Sequence, residues 1–332
     1  MTTLSEDDLI ARFFAPLATA PGAAGLTDDA AVLPSVAGDL VVTKDLLIAG
    51  VHFFPDDPPD AIARKALRVN LSDLAAKGAR PLGFLLGLGL PAGDHPAWLT
   101  RFAEGLGADV RDFGCPLYGG DTVKTNVITL SITAFGEAPR GKTVRRASAM
   151  PGDVIVVTGT IGDAALGLKL RAGLTDRAKT PGFAKALSLS HRASLIERYL
   201  RPEPRVALAD AIAAHAHAAM DVSDGFAGDL AKLLMASNLA GDVEVARVPL
   251  SPAAQAALGA DPALISTILT GGDDYEILAT VPAASVDALI AAGKAQGLAV
   301  TPVGRVSEGA GLKVVDASGR EMALGAGRYQ HF

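Results

Sequence analysis

Apolar and polar positions alternate along the chain in a way that predicts a series of strands and helices. Leu40-Val41-Val42-Thr43, then Asp45 and Leu46-Leu47-Ile48, predict a strand over 40–48. Gly83 to Leu90 predicts a buried strand whose glycines suit close backbone approach. Val127 to Phe135 alternates cleanly and predicts another. Helices are expected over 5–18, 58–79 and 94–113. The first has Ser5 as N-cap, Asp8 three residues on, and a stripe of Leu9, Phe13 and Leu17. On the second, Leu67, Leu71, Leu74 and Ala75 cover one face and Ile62, Ala66, Val69 and Ala76 another, so Asp73 is expected inside. Met150-Pro151-Gly152-Asp153 reads as a domain boundary. A second series follows: a strand from Val154, helices over 163–172, 183–199, 207–218 and 226–236, a short buried strand ending at Asp221, and another strand after Asp274. Strands alternating with helices in both halves predict a mixed α/β fold with domains 1–148 and 149–332.

Carboxylates interrupt this pattern repeatedly. Asp45 stands inside the apolar run 40–48, and His52 follows seven residues later in Gly50-Val51-His52-Phe53. Asp28-Asp29, Asp73, Asp121, Asp221, Asp224 and Asp273-Asp274 each sit beside glycine or at the end of an apolar run. A turn explains Asp28-Asp29 equally well, an (i, i+4) pair with Lys77 would account for Asp73, and a hydrogen-bonded core residue accounts for His52. Gly119-Gly120-Asp121 reads as a glycine turn that lets backbone amides approach a phosphate. In Asp221-Val222-Ser223-Asp224-Gly225, Ser223 or Asp224 can cap the helix that follows, but capping does not explain Asp221. Acids arriving from so many segments repel one another, and oxygen-only ligands suit Mg²⁺.

Gly136-Glu-Ala-Pro-Arg-Gly141-Lys142-Thr143 matches a phosphate-binding P-loop letter for letter. The match is rejected here. That loop works by aiming helix N-terminal amides at phosphate, and the residues after Thr143 reach Pro151 too soon for a proper helix. Arg145 or Arg146 can still contact phosphate through a guanidinium fork.

Composition narrows the class. The 332 residues suit two domains, and with 49% hydrophobic and 20% charged residues the chain is globular. A net charge of -6 argues against nucleic acid or an anionic membrane as partner. One cysteine, Cys115, and an acidic start without a secretory pattern lead to the expectation of a cytoplasmic protein. The residues alone point to a Mg²⁺-nucleotide enzyme: phosphoryl transfer needs charge neutralisation more than covalent chemistry, and carboxylates for Mg²⁺, an Arg and no nucleophile fit that need.

The set Asp28-Asp29-Ala-Ala, Thr43-Lys44-Asp45 through Gly-Val-His-Phe, Asn70-Leu-Ser-Asp-Leu-Ala-Ala-Lys-Gly-Ala, Gly-Gly-Asp-Thr, Asp-Val-Ser-Asp-Gly, Gly-Gly-Asp-Asp-Tyr-Glu and the terminal His331-Phe332 resembles the thiamine-monophosphate kinase family. The motifs occur in family order from about residue 26 onwards. The resemblance implies ATP-dependent conversion of thiamine monophosphate to thiamine diphosphate by direct in-line transfer. It also implies the fold of aminoimidazole-ribonucleotide synthetase and selenophosphate synthetase. In that fold the N-terminal domain binds ATP and Mg²⁺ and pairs with its copy to close a β-barrel across a homodimer. The C-terminal domain is an α/β sandwich. Carried over by position, Asp29, Thr43, Lys44, Asp45, Asp73, Asp121, Asp221 and Asp224 would serve several Mg²⁺ ions. Gly120, Asp121, Arg146 and Ser223 would contact ATP, and His52, Asp273 and Tyr329 the thiamine phosphate.

Three positions depart from the family pattern: Thr27 stands where glycine is usual, Lys44 where threonine is frequent, and Asp273 where glutamate is frequent. A charged lysine cannot ligate Mg²⁺, so that contact is either lost or made by the backbone carbonyl. Two alternatives remain open on sequence grounds. One is another ATP-dependent synthetase of the same superfamily acting on a different small substrate. The other is a non-catalytic Mg²⁺-nucleotide-binding protein.

Overall fold

A computed structural model describes residues 5–93, 95–316 and 318–324. The chain forms two compact units, one comprising Met1–Leu74 with Ala79–Gly141, the other Ala75–Gly78 with Lys142–Phe332.

The first unit begins with α1 (Glu6–Leu9), capped by Ser5 and Asp8 as expected: Ser5 Oγ accepts from the Asp8 amide at 3.1 Å. The helix does not continue regularly to residue 18. It widens into a π-turn over Ile10–Phe14 and tightens into a 3-10 turn over Ala15–Leu17. A further 3-10 segment, Pro21–Leu26, puts Ala24 and Leu26 at φ 47° and 60°. Then come β1 (Asp39–Ile48), α2 (Pro59–Ala76), β2 (Arg80–Leu90), α3 (Pro96–Phe113), β3 (Leu117–Lys124) and β4 (Thr129–Ala138). Gly114, at φ 60°, ends α3. The strands make one open sheet, ordered β1-β4-β2-β3, so the described chain by itself closes no barrel. Gly119-Gly120-Asp121, expected as a turn, lies inside β3. A Cβ on Gly120 would sit 1.9 Å from the Leu86 carbonyl oxygen, so this glycine permits close pairing with β2. As expected, α2 is covered on both sides, with Ile62, Ala66, Leu67, Leu71 and Leu74 all buried.

The second unit contains β5 (Val154–Thr158), α4 (Asp163–Thr175), α5 (Leu189–Leu200), α6 (Ala209–His215), β6 (Ala218–Asp221), α7 (Phe226–Ala236) and β7 (Ala240–Glu244). It continues with α8 (Pro252–Ala260), α9 (Leu264–Thr270), β8 (Ile277–Val281), α10 (Val286–Ala295), β9 (Val300–Ser307) and β10 (Gly311–Val315). Its six-stranded mixed sheet runs β10-β7-β9-β5-β8-β6. Successive residues of β5 feed opposite cores: Ile155 and Val157 pack with Leu278, Met220 and Phe226, whereas Val154 and Val156 pack with Ala279, Leu208 and Ile212. That double burial explains why β5 and β8 are apolar along most of their length, with Thr280 the exception inside β8. No helix starts at Lys142-Thr143. The next element is a 3-10 turn at Arg146–Ser148, consistent with rejecting the P-loop. No described helix is long and apolar enough to cross a membrane.

Candidate nucleotide and metal site

In the first unit the sheet register sorts the acids by face. Asp45 pairs across to Ile132 on β4, Ile132 to Leu86 on β2, and Leu86 to Gly120 on β3, so these four share one face. Thr43 lies on that face too, and its hydroxyl donates to Asp73 Oδ2 of α2 at 2.5 Å. The Asp45 amide is held by Asn70 Oδ1 at 3.1 Å, and Asn70 donates its own amide to the Ala66 carbonyl at 3.0 Å. Burial raises the Asp45 carboxyl to about 6, the nearby Asp73 adds to the shift, and Lys44 opposes it. Two carboxylates crowded against a hydroxyl, one of them desolvated, form an oxygen-only set whose repulsion a hard divalent cation relieves. The donor chemistry therefore fits Mg²⁺.

The opposite face carries different residues. Leu46, Ser131, Gly87 and Asp121 form one row across the sheet, and Lys44, Thr133, Leu85 and Gly119 the next. The Lys44 side chain thus points away from the Asp45–Asp73 face, which leaves only its backbone available there. Over this second face lies a cavity of about 510 Å³, lined by Asp28, Asp29, Gly119, Gly120 and Asp121 together with apolar residues of the N-terminal segment. Asp29, Gly120 and Asp121 are therefore brought together. His52 follows β1; its Nδ1 accepts from the Ile48 amide at 3.1 Å, which places the ring proton of the neutral form on Nε2.

In the second unit, the two Gly-Asp motifs fold onto one another. The Asp273 amide donates to the Ser223 carbonyl at 2.9 Å and the Tyr275 amide to that of Val222 at 2.8 Å. A Cβ on Gly272 would fall 2.1 Å from the Ser223 carbonyl oxygen, which is why glycine stands there. Asp273 and Tyr275 take φ values of 72° and 51°, unusual for residues with side chains and characteristic of segments held by their surroundings. The holding groups are buried. Asp274 accepts from the Gly162 and Ala164 amides at 2.7 and 3.3 Å, at the start of α4. Burial pushes its carboxyl well above the ordinary range. Glu276, fully buried, accepts from Arg205 through two nitrogens, from Arg198 at 2.9 Å and from Thr158 at 2.7 Å.

The loop 221–225 is fixed by Asp229. Its Oδ2 accepts the amides of Ser223, Asp224 and Gly225 at 3.0, 2.9 and 3.2 Å. Lys232 joins Asp229 at 2.8 Å to Asp224 at 2.5 Å. Burial pulls the Lys232 ammonium down, but its hydrogen bonds to Asp224 and Asp229 outweigh that and hold it above its usual range. The amides at the start of α7, offered by the sequence as a phosphate cradle, are thus occupied by the chain's own carboxylate. The N-cap is Gly225, so neither Ser223 nor Asp224 caps the helix.

The candidate residues therefore gather in separate groups. Thr43, Asp45 and Asp73 form one, Asp29, Gly120 and Asp121 another, and Asp221, Ser223, Asp224 and Asp273 a third. Among the described residues no three acids, histidines or cysteines come close enough together to hold a metal ion by themselves. Arg146 is exposed, and its carbonyl accepts from Ser237 Oγ just past the C-terminal end of α7. Ser223 is at the other end of that 11-residue helix, about 16 Å away at 1.5 Å per residue. Tyr329 lies outside the described residues. Sequence reasoning gave no role to Asn70, Asp229, Lys232, Glu276 or Arg205. An asparagine at position 70 between the apolar Val69 and Leu71, and an acid four residues after Gly225, were the available signals.

Residues 27–138 match the model of the AIR synthase related protein N-terminal domain, and residues 150–317 that of its C-terminal domain. The thiamine-monophosphate kinase of Caulobacter vibrioides is 44% identical over 93% of this chain and 86% of its own length. That of Escherichia coli is 36% identical over 98% of both. The chain belongs to the thiamine-monophosphate kinases, within the AIR synthase related family. Solved members of the family share its fold. The enzyme from Stenotrophomonas maltophilia superposes with a TM-score of 0.80 at 40% identity, over 90% of this chain and 91% of that one. AaThiL complexed with AMPPCP and TMP does so with 0.77 at 28% identity, over 100% and 99%.

Proposed function

We propose that the protein phosphorylates thiamine monophosphate with ATP, giving thiamine diphosphate and ADP by direct in-line transfer. Membership of the thiamine-monophosphate kinases carries this reading, and a relative solved with AMPPCP and TMP supports it. Residues 1–148 serve as the nucleotide, metal and pairing half, and 149–332 as the α/β half that adds Asp221, Ser223, Asp224 and Asp273.

The chain's own groups do three things in this account. Asp45 and Asp73, with Thr43, and separately Asp29 and Asp121, offer oxygen ligands to Mg²⁺, with Asp221 and Asp224 as further ligands. Bound Mg²⁺ supplies charge neutralisation on the phosphate oxygens. Gly120, Ser223 and Arg146 contact the nucleotide, while His52, Asp273 and Tyr329 hold the thiamine phosphate, His52 as a neutral Nε2–H donor. No covalent intermediate is involved. The acceptor phosphate attacks the γ-phosphorus, and the bond to the β–γ bridging oxygen breaks.

We further infer that the working species is a homodimer that completes the barrel. β1 and β3 are the edges of the open sheet, and Leu40, Val42 and Leu46 on β1 and Val123 on β3 are 50%, 54%, 46% and 50% exposed. A second copy would cover this apolar surface and pair the free edges. It would also bring the β3 strand that carries Asp121 in one copy beside the β1 strand that carries Asp45 in the other.

The assay that tests the function uses purified chain, ATP, Mg²⁺ and thiamine monophosphate. Thiamine diphosphate and ADP should appear in equal amounts. ADP without thiamine diphosphate would assign a different acceptor.

A further inference from the structure

In the second unit the four residues from Asp273 to Glu276 alternate between outside and inside. Asp274 and Glu276 are 1% and 0% exposed, whereas Asp273 and Tyr275 are half-buried. The two outer residues are the ones with left-handed backbone, and such conformations persist only where the surroundings over-determine them. The Tyr275 hydroxyl donates to Asp273 Oδ1 at 3.3 Å. The two inner carboxylates are pinned from below, Asp274 by the Gly162 and Ala164 amides and Glu276 by Arg205 and Thr158. Arg198 of α5 adds a contact of another kind. Its Nη2 donates to Glu276 Oε1 at 2.9 Å and also to the main-chain carbonyl of Asp274 at 3.3 Å. That carbonyl belongs to the peptide joining Asp274 to Tyr275, between the two left-handed residues. The Arg198 Nη1 lies 3.1 Å from Glu203, and the side chain is 13% exposed.

We propose that Arg198 is a positioning residue for substrate binding: it sets the peptide between Asp274 and Tyr275 and so aims the Asp273 carboxylate at thiamine monophosphate. The inference rests on the reading that Asp273 holds this substrate. Charge balance at Glu276 does not account for Arg198, because Arg205 already reaches both Glu276 oxygens through two nitrogens. What distinguishes Arg198 is its bond to the loop backbone, which a planar guanidinium can make while it pairs with carboxylates on either side. The facing loop is fixed separately. Asp229 Oδ2, reaching from α7, holds the amides of Ser223, Asp224 and Gly225. Loss of Arg198 should therefore disturb the Asp273 side of this pair of loops and spare the Ser223 side, which is assigned to the nucleotide.

Arg198→Lys tests this, because it keeps a positive charge beside Glu276 on a shorter side chain and gives up the planar fork. The variant should melt close to wild type. In titration calorimetry it should bind thiamine monophosphate about fivefold or more weakly and bind AMPPCP with Mg²⁺ as wild type does. Arg198→Met, which removes both bonds, should weaken thiamine monophosphate further; should it not fold, Arg198→Lys carries the test. Wild-type affinity for thiamine monophosphate in Arg198→Lys overturns the proposal. So does an equal weakening of both ligands, or a melting temperature far below wild type, since either marks a purely structural role. Asp273→Asn, measured alongside, separates this from the reading beneath it. If Asp273→Asn weakens thiamine monophosphate and Arg198→Lys does not, only the role of Arg198 falls. If Asp273→Asn binds it as tightly as wild type, the reading of Asp273 falls and the proposal with it.

Discussion

Asp45 and Asp121 lie in the same four-stranded sheet but at opposite edges and on opposite faces. With strands about 4.8 Å apart, three spacings separate them by about 14 Å, too far to share an ion within one chain. Asp45→Asn and Asp121→Asn should each abolish turnover while the fold survives. If two copies share a site, mixing the two inactive variants under conditions of subunit exchange should restore about a quarter of wild-type activity, because half the dimers are mixed and each has one intact site. Full activity in either single variant would sink the metal assignment. No recovery on mixing, with exchange demonstrated, would refute the shared site.

The raised Asp45 carboxyl has a pH signature in the metal-free protein. Its folded value is about 6 against an ordinary 3.8. A raised carboxylate means that the folded state binds the proton more tightly than the unfolded one. Stability from this group is full below pH 3.8 and is lost as pH rises to about 6. The loss should be on the order of 3 kcal/mol, read as a fall in melting temperature across that window. Asp45→Asn should flatten the fall, and so should saturating Mg²⁺, which favours the ionised form. A metal-free protein with the same slope after substitution would exclude Asp45 as its origin.

Asp229 should matter more to the second unit than its place inside α7 suggests. Truncation to alanine leaves the amides of Ser223, Asp224 and Gly225 without their acceptor and Lys232 with one fewer partner. Gly225 is buried and Ser223 and Asp224 half-buried, so the Gly225 amide bears most of the cost, about 1–3 kcal/mol for a buried donor left unpaired. Asp229→Ala should therefore lower the denaturant midpoint markedly and abolish turnover. Asp229→Asn, which keeps a carbonyl acceptor, should fold with most of its stability restored. Equal midpoints for wild type and Asp229→Ala would show that these contacts do not hold the loop.

Gly120 and Gly119 should respond oppositely to alanine. At Gly120 the added carbon meets a backbone oxygen of the neighbouring strand, which cannot yield without parting β2 from β3. Overpacking of this kind costs about 1–3 kcal/mol or more. Gly119→Ala should melt within a degree or two of wild type. Thermal melts of the two variants side by side check this, and equal losses would contradict the register of β3.

Much of this architecture could be read from side-chain periodicity. The strand at 40–48, both long helices of the first unit and α7 over 226–236 were legible because each buries a face or a stripe. The Gly119-Gly120-Asp121 segment was misread as a turn. Glycine pairs signal turns, but here they serve strand pairing and a flat cavity floor, a tertiary reason that no local pattern carries. The helix expected over 5–18 breaks into a π-turn whose two end residues, Ile10 and Phe14, line the cavity, a tertiary placement that the apolar stripe does not encode. The acids were visible one by one. Their division between two faces of a sheet was not, because register depends on which strands pair. Asp229 escaped notice because an acid near a helix start is ordinarily a dipole partner, not the acceptor for three loop amides.

The most direct measurement of the central claim is a single-turnover experiment with ATP radiolabelled in its γ-phosphate, Mg²⁺ and thiamine monophosphate, quenched in acid at short times. Direct transfer predicts that label appears in thiamine diphosphate at the rate it leaves ATP, with none on the precipitated protein. Label retained on the protein, or released as inorganic phosphate without reaching thiamine diphosphate, would contradict the account.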